Sequence, residues 1–157
     1  MMGRGTDVGA PALHPVHPAT EDWPRLRAAL DAAGLPAGDL LLPGRRFFRF
    51  GPRDEGACYG GLEGDGPDLL LRSVAVPPAL RGRGLGRAVV AALEGEAARL
   101  GAARLHLLTT TAARFFEGLG YRSAERAGAP SAIAATAQFA QLCPASAAYL
   151  VKHLPGA

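Results

Sequence analysis

The chain has 157 residues and a mass of 16.2 kDa, with 48% hydrophobic and 20% charged residues. This composition predicts one soluble globular domain, and no apolar run is long enough to cross a membrane. The net charge of +3 is too small and too scattered for a nucleic-acid surface, and the two distant cysteines, Cys58 and Cys143, indicate neither a zinc site nor a disulfide framework. We expect residues 1–10, which lack the apolar core of a signal peptide, to be a disordered tail before a single cytoplasmic domain over residues 11–157.

The first half of the chain predicts one helix followed by antiparallel strands. Thr20 is placed to cap a helix over residues 21–33, and Gly34 is placed to end it. The aromatic run RRFFRF and the run GACYGGLEG that follows it each predict a strand. Together with the next strand they predict an antiparallel meander.

The second half predicts alternating strands and helices around a glycine-rich turn. A central strand over residues 68–76 is apolar on both sides of the pleat except at Arg72 and Ser73, as expected of a strand covered on both faces. After the turn the sequence predicts, in order, a helix over 86–100, a strand over 103–110, a short helix with Phe115, Phe116 and Leu119 in the core, a strand from Tyr121, a helix over 130–142 and a strand over 145–154. The chain therefore predicts a mixed α/β sheet of about seven strands.

The stretch RGRGLGR, residues 81–87, joins the central strand to the next helix. Backbone N–H groups in such a turn lie at the positive end of the helix dipole, which favours a phosphate group. A Walker loop would need Lys and then Ser or Thr after its last glycine, but Arg87 and Ala88 follow Gly86. The Rossmann fingerprint fails too, because the glycines alternate and no acidic residue ends the next strand. The alternative without a ligand is a tight turn that needs positive φ.

The motif Arg81-x-x-Gly84-x-Gly86 resembles the pyrophosphate-binding signature of the GNAT N-acetyltransferases, and FFEGLGY resembles the short helix and Gly-aromatic ending of that family. The resemblance implies an α/β GNAT fold, with a mixed, mostly antiparallel sheet of about seven strands flanked by helices and splayed between strands four and five. It implies acetyl-CoA as co-substrate, no metal, and a small-molecule amine as acceptor rather than nucleic acid or a membrane, and it admits a homodimer. The residues it assigns to the cofactor are Val74 and Val76 for pantetheine, and Arg81, Gly82, Arg83, Gly84, Leu85, Gly86 and Arg87 for the pyrophosphate.

A narrower resemblance lies in the second half of the chain. The runs LLTTTAARFFEGLGY and APSAIAATAQFAQLCPASAA are similar to the arsenic-resistance branch of the GNAT superfamily, the small ArsN-type acetyltransferases of the second subfamily. This resemblance covers residues 70–148 and implies an arsenic-containing amino acid or a related toxin as acceptor. Trivalent arsenic prefers three thiolates, so two distant cysteines do not predict direct arsenite binding.

Acetyl transfer needs a polarised thioester carbonyl and a proton for the departing thiolate. The Val74 amide is the candidate oxyanion donor. Many GNAT enzymes protonate the thiolate with a tyrosine on the helix after strand five, and the resemblance aligns Phe116 with that tyrosine and Thr109 with a nearby asparagine. Tyr121 or an ordered water can replace the missing hydroxyl, and a thiolate with a pKa of about 8.5 can also leave with little assistance. The catalytic candidates are Val74, Phe116 and Tyr121, with Thr109 and Phe116 also contacting the cofactor.

Candidates for the general base are Glu63, His106 and water, although a histidine on an apolar strand is more often a core residue. Arg72 needs a partner, because an unpaired charge inside a central strand is costly. The partner is either an internal carboxylate such as Glu63 or an anionic group of the substrate, a carboxylate, phosphinate or arsenical oxyanion read by two parallel hydrogen bonds. Further candidates for substrate contacts are Ser73, Thr110, Thr111 and Thr136, with helix capping as the alternative for the threonines at 109–111.

Two functions of different classes fit these residues. The first is an acetyl-CoA-dependent N-acetyltransferase acting on the amine of a small anionic compound, in arsenic resistance or on another small amine or antibiotic-like amino acid. The second is a catalytically weak acetyl-CoA-binding domain, which Phe116 and the lack of a clear base favour. Release of free CoA in the presence of an amine separates the two.

Overall fold

The computed structural model describes residues 13–52 and 57–155. Within them the strands are β1 (Leu13–Val16), β2 (Arg45–Phe50), β3 (Cys58–Glu63), β4 (Asp68–Ala75), β5 (Arg104–Thr109), β6 (Arg122–Ser123) and β7 (Ala148–His153). The α-helices are α1 (Asp22–Ala32), α2 (Leu85–Arg99), α3 (Ala113–Glu117) and α4 (Ser131–Ala134). Short 3-10 turns cover Pro78–Leu80 and Arg126–Gly128, and a π-helical turn covers Gln138–Leu142.

The strands form one seven-stranded sheet in the order β1-β2-β3-β4-β5-β7-β6. Strands β4 and β5 pair in parallel, because helix α2 forms the crossover between them, and the other neighbouring pairs are antiparallel. This arrangement confirms the predicted mixed, mostly antiparallel sheet and the predicted order of elements. None of the helices in the described ranges has the length and apolar character that a bilayer crossing needs.

Each face of the sheet has its own apolar core. On one face, Val89, Val90 and Leu93 of α2 are fully buried against β3, β4 and β5, and each such side chain contributes roughly 1.5–3 kcal/mol of transfer free energy. Helix α2 lies so close to β3 that a Cβ on Gly60 would come within 2.5 Å of Leu93 Cδ1, so only glycine fits there. The other face buries Leu26 of α1 in a second cluster with Phe47, Tyr59 and their neighbours.

Hydrogen bonds of Glu94 join α2 to β7 and to the chain after α3. Lys152 Nζ of β7 donates to both carboxylate oxygens of Glu94 at 3.1 Å and to the Leu119 carbonyl at 2.8 Å. The Tyr121 hydroxyl donates to the same carboxylate at 2.9 Å. These bonds fasten the chain after α3 to the middle of α2.

Strand β4 leaves β5 and forms an irregular pairing with β3 near its carboxyl end. Its parallel pairing with β5 ends at Leu70 and His106, so the two strands diverge beyond that point, which confirms the predicted splay between strands four and five. Its pairing with β3 shifts register between Gly61–Arg72 and Tyr59–Ala75. Two residues of β4 therefore face one residue of β3, which is a β-bulge.

The bulge contains an unusual backbone conformation. Ser73 has φ of 59°, in the left-handed region, and it is the one non-glycine residue in the described ranges with positive φ. This region costs an L-residue roughly 1–2 kcal/mol, so the surrounding contacts must hold Ser73 there.

Three local predictions were wrong. Thr20 does not cap α1: its hydroxyl donates to the His17 carbonyl at 2.8 Å, and the helix begins at Asp22. Phe115 was predicted in the core but is 39% exposed. The predicted helix over residues 130–142 ends after Ala134. The Thr136 hydroxyl donates to the Ile133 carbonyl and accepts from the Phe139 N–H, and these bonds compete with the hydrogen bonds of a continuous helix.

The predicted disordered tail over residues 1–10 lies outside the described residues, so it stays a prediction.

Candidate active site

A cavity of about 610 Å³ lies between β4 and β5 where the two strands diverge. Its floor comes from the carboxyl ends of these two strands, between Leu71 and Val76 and between Leu107 and Thr109. The glycine turn and the first residues of α2 also line it, as do Ala33 and Leu35 after α1. The site is therefore built by the splay, because two strands that stayed paired would leave no such gap.

The glycine turn presents open backbone to this cavity. Gly82 and Gly84 have φ of 81° and 75°, and a Cβ on either would meet no heavy atom within 4 Å. Gly84 is the N-cap of the 15-residue α2, whose start carries no side-chain cap. The first N–H groups of α2 are thus available to an anion, together with the positive end of the helix dipole.

Arginines surround the turn, but not all of them border the cavity. Arg81 and Arg87 line it, and Arg81 Nε donates to the Val76 carbonyl at 3.1 Å. Arg83 is exposed and does not line the cavity, although it was predicted to contact the pyrophosphate. The other predicted cofactor residues border the cavity as a group: Val74, Val76, Gly82, Gly84, Leu85, Gly86, Thr109 and Phe116.

Two adjacent aromatic rings form part of the wall. Phe116 is 7% exposed, belongs to the core on the α2 face and also lines the cavity. Phe115, which sequence analysis assigned to the core, also lines the cavity, and a Cβ on Gly86 would lie 3.2 Å from its Cζ. The only sequence signal for Phe115 was the FF pair itself, which does not say which ring faces inward.

The structure separates the hydroxyl of Tyr121 from this site. Tyr121 does not line the cavity, and its hydroxyl donates to Glu94. Burial, together with the nearby Glu94 charge, raises the pKa of the phenol well above its usual range. Tyr121 is therefore wrong as the substitute proton donor.

Arg72 belongs to a buried ion cluster, called here the Arg72 cluster, formed with Asp39, Glu63 and Arg45. Arg72 Nη1 and Nη2 each donate to Asp39 at 2.6 Å, and Nη1 also donates to Glu63 Oε1 at 2.8 Å. Arg45 donates to Asp39 at 3.0 and 3.2 Å, and its Nη2 lies 3.3 Å from Glu63 Oε2. Burial would raise the pKa of Asp39, but the hydrogen bonds and charges of Arg72 and Arg45 outweigh it and lower that pKa.

The Arg72 side chain has no solvent exposure, so the peptide of Arg72 borders the cavity and its guanidinium does not. The prediction that this guanidinium reads an anionic substrate is therefore wrong, and the alternative of an internal carboxylate partner is confirmed. Sequence analysis named Glu63 but missed Asp39, which makes the two-bond contact. The available signal was an acid inside the apolar run LPAGDLLLPG, with no indication of what it would meet.

Neither predicted general base has a free basic atom facing the cavity. Glu63 is occupied by Arg72 and Arg45, and it does not line the cavity. His106 is 2% exposed, with Nε2 2.7 Å from Asp68 Oδ1 and Nδ1 2.7 Å from the Tyr149 hydroxyl. Burial lowers the pKa of His106 against the opposing effect of Asp68, and both ring nitrogens have hydrogen-bond partners inside the core.

The threonines differ in their surroundings. Thr109 Oγ1 accepts from the N–H groups of Ala112 at 2.9 Å and Thr111 at 3.3 Å, just before α3. Thr111 and Ser73 line the cavity, whereas Thr110 and Thr136 do not, and Thr136 is turned into its own loop. Substrate contacts of these four residues stay predictions.

Among the described residues, no group of three or more His, Cys, Asp or Glu side chains is arranged to hold a metal ion.

Residues 48–123 match a family model described as an acetyltransferase (GNAT) domain. The fold is similar to N-acetylglutamate synthase from Neisseria gonorrhoeae, solved with coenzyme A and L-arginine, at 18% identity and a TM-score of 0.70, over 92% of this chain and 33% of that one. It is similar to a GNAT family acetyltransferase from Elizabethkingia anophelis with acetyl-CoA bound, at 14% identity and a TM-score of 0.65, over 92% of this chain and 99% of that one. No curated protein sequence matches the chain.

A third similar structure is the ribosomal-protein-S18-alanine N-acetyltransferase from Escherichia coli, at 18% identity and a TM-score of 0.67, over 94% of this chain and 96% of that one. The chain thus spans about a third of the Neisseria enzyme and nearly all of the other two. At these identities the likeness concerns the fold, and two of the three structures contain coenzyme A or acetyl-CoA. The strand order and the parallel β4–β5 pair agree with the fold of these structures, and residues 48–123 are similar to GNAT acetyltransferase domains.

Proposed function

We propose that the protein is an acetyl-CoA-dependent N-acetyltransferase that acts on the amine of a small compound. The observation that carries the proposal is one cavity lined by an uncapped helix N-terminus, by the part of β4 that has left β5, and by Ala33 and Leu35 after α1. An elongated thioester cofactor needs a phosphate site at one end and a meeting point with its acceptor at the other. The cavity supplies both.

The chain's own groups account for binding of the cofactor. The first N–H groups of α2, with Arg81 and Arg87 beside them, bind the pyrophosphate by hydrogen bonds and charge. The main chain of Val74 and Val76, beyond the last β5 partner, offers hydrogen bonds to the amides of pantetheine. Phe115 and Phe116 cover the apolar part of this arm.

For the transfer itself, the Val74 N–H polarises the thioester carbonyl and stabilises the oxyanion of the tetrahedral intermediate. The acceptor amine must lose a proton, and water is the base that remains once Glu63 and His106 are occupied. The thiolate leaves without a phenol beside it, because Phe116 has no proton to give and the Tyr121 hydroxyl is held by Glu94. These features favour an acceptor whose amine is already neutral near pH 7.

The acceptor we propose is a small amine that also carries an acidic group, in arsenic resistance or a similar detoxification. Its support is the resemblance of residues 70–148 to the arsenic-resistance branch. The buried guanidinium of Arg72 is not the group that binds the acidic group of this acceptor.

The test is release of free CoA from acetyl-CoA, measured against a panel of amines. The panel contains an amino acid bearing an arsenical group, one bearing a phosphinate, the parent amino acids and an aminoglycoside. We expect release with the acidic amino compounds and little with the aminoglycoside. Release with the aminoglycoside alone would overturn the proposed acceptor and keep the enzyme class.

Binding provides a second measurement that does not depend on the acceptor. We expect acetyl-CoA to bind in calorimetry and to raise the melting temperature, while ATP and NAD do neither. Gly84→Asp places a carboxylate and a strained φ at the helix N-cap, so it is expected to weaken acetyl-CoA binding at least a hundredfold. Gly101→Asp is the matched control, since it has φ of 93° after the other end of α2 and does not line the cavity. Equal binding by the Gly84 variant and the parent would disprove this site.

The second candidate function is an acetyl-CoA-binding domain with little catalysis. The absence of a proton donor at Phe116 and the occupied carboxylate of Glu63 favour it. It predicts tight acetyl-CoA binding in calorimetry without CoA release for any amine of the panel.

A further inference from the structure

The left-handed conformation of Ser73 lies in the wall of the cavity, beside the candidate oxyanion donor Val74. Backbone strain of this kind persists only where the surroundings hold it, and it is concentrated at functional sites. Neither residue has a paired partner in the described β3 and β5 ladders, although Arg72 and Ala75 on either side still pair with β3. A contact outside the ladder therefore helps to keep Ser73 in place.

That contact is a side-chain hydrogen bond from the preceding residue. Arg72 Nε donates to Ser73 Oγ at 3.1 Å, and the whole interaction is buried. Asp39 fixes the plane of the guanidinium by two parallel bonds of 2.6 Å, and Glu63 adds a third contact. Four of the five N–H donors of Arg72 are engaged, so the guanidinium has one orientation, and the Ser73 hydroxyl follows it.

The torsions of Ser73 decide where the next peptide points. Rotation about the Cα–C bond of Ser73 turns the plane that contains the Val74 N–H. A donor that stabilises an oxyanion must be aimed before the reaction, and removal of such a donor typically costs a hundredfold or more in rate. A donor that is present but poorly aimed loses part of that effect.

We propose that Asp39 is a positioning residue for acetyl transfer: acting through Arg72, it holds Ser73 in the left-handed conformation and so aims the Val74 N–H at the thioester carbonyl. Asp39 itself lies in the connection between α1 and β2 and does not line the cavity. The inference rests on the proposed function. The inference adds to that function a residue that is 35 positions from Val74 in the sequence and does not line the cavity.

The first experiment compares Asp39→Asn with the double variant Asp39→Asn, Ser73→Gly. We expect Asp39→Asn to lower kcat about tenfold and to change KM for acetyl-CoA by no more than about twofold. Glycine adopts the left-handed region without steric cost, so Ser73→Gly is expected to restore at least half of the lost kcat on a logarithmic scale. A purely structural role for Asp39 predicts no such rescue, because glycine adds no contact to the damaged cluster.

Asp68→Asn is the matched control. Like Asp39, Asp68 is largely buried and pairs with an arginine. It lies on β4, the strand that contains Ser73, but five residues before it. We expect this variant to unfold at a lower temperature, to keep the parent kcat at 25 °C, and to gain nothing from Ser73→Gly. If Ser73→Gly raised kcat in both aspartate variants, the glycine would be acting by general stabilisation, and the proposal would be overturned.

A third comparison leaves the Arg72 cluster intact, so it remains informative where Asp39→Asn does not fold. Ser73→Ala and Ser73→Gly both remove the hydroxyl, but only glycine tolerates φ of 59°. We expect kcat of Ser73→Ala to be at least about fivefold lower than kcat of Ser73→Gly. Equal kcat for the two variants overturns the proposal.

Failure of the proposed function has a different result: the parent itself releases no CoA with any amine. In that case the amide resonance of Val74 is measured by NMR with acetyl-CoA bound. The proposal predicts that Asp39→Asn shifts this resonance and that the double variant moves it back towards the parent position. An unchanged resonance in Asp39→Asn overturns the proposal without reference to activity.

Discussion

Strand β4 has two carboxylate–guanidinium contacts, one near each end, and they differ in burial and in the strand pairing beside them. At the amino end, Asp68 pairs with Arg104 at 2.6 and 2.9 Å and with His106, where β4 and β5 are still hydrogen-bonded. Towards the carboxyl end, the buried Arg72 cluster lies beside the bulge, where β4 has left β5 and pairs with β3 only at Arg72 and Ala75. The first contact therefore accompanies regular strand pairing and is partly open to water, while the second accompanies an irregular stretch of backbone and is not.

Removal of the arginine from each end should give the largest difference. Arg72→Met leaves two buried carboxylates with Arg45 as their remaining cationic partner, so it should lower the free energy of unfolding by about 3–5 kcal/mol. Arg104→Met removes a partner whose side chain is 36% exposed, and water replaces it at a cost of about 1 kcal/mol. Urea denaturation of both variants measures the difference. Equal losses would mean that the two ends do not differ in burial of charge.

The pH dependence of stability sharpens the comparison at the amino end. The Arg104 hydrogen bond, with help from His106 and against burial, lowers the pKa of Asp68 to about 2 from 3.8. Because the folded pKa is below the unfolded one, this stabilisation is present above pH 4 and is lost as the pH falls towards 2. Asp68→Asn should therefore lower stability by about 2 kcal/mol at pH 7 and flatten its decline between pH 4 and 2. The measurement is the free energy of unfolding at a series of pH values, and a decline as steep as the parent's would contradict the assignment.

The smallest expected effect concerns Phe116, which lies on helix α3 in the wall of the cavity. Phe116→Tyr adds a phenol at the position that the family resemblance assigns to the thiolate proton donor, in a wall already shaped for a ring. We expect kcat to stay at the parent value or to rise by up to about threefold, measured by CoA release at saturating acetyl-CoA. A hundredfold loss with an unchanged melting temperature would show that the ring face, and not a missing hydroxyl, matters there.

Sequence analysis found the features that repeat or that have a local cause. The strand and helix order, the splay and the glycine turn were predicted because periodicity, glycine spacing and a family motif express them within a few residues. The partner of Arg72 was not, because Asp39 is 33 positions away in an irregular connection, and only folding brings them together. The exposure of Phe115 was missed because two adjacent phenylalanines do not show in the sequence which ring points into the core. The end of α4 was missed because the hydrogen bonds of the Thr136 hydroxyl, which compete with the helix, depend on the folded conformation of the loop.

The contact between Lys152 and Glu94 has a practical consequence for acetylation chemistry. Lys152 is the one lysine in the sequence, so the protein has a single side-chain amine that a reactive thioester could modify. That amine donates to a carboxylate and a carbonyl, so it is not free to attack a thioester. In the proposed assay, acetyl groups counted on added amines should therefore carry little background from side-chain amines of the protein.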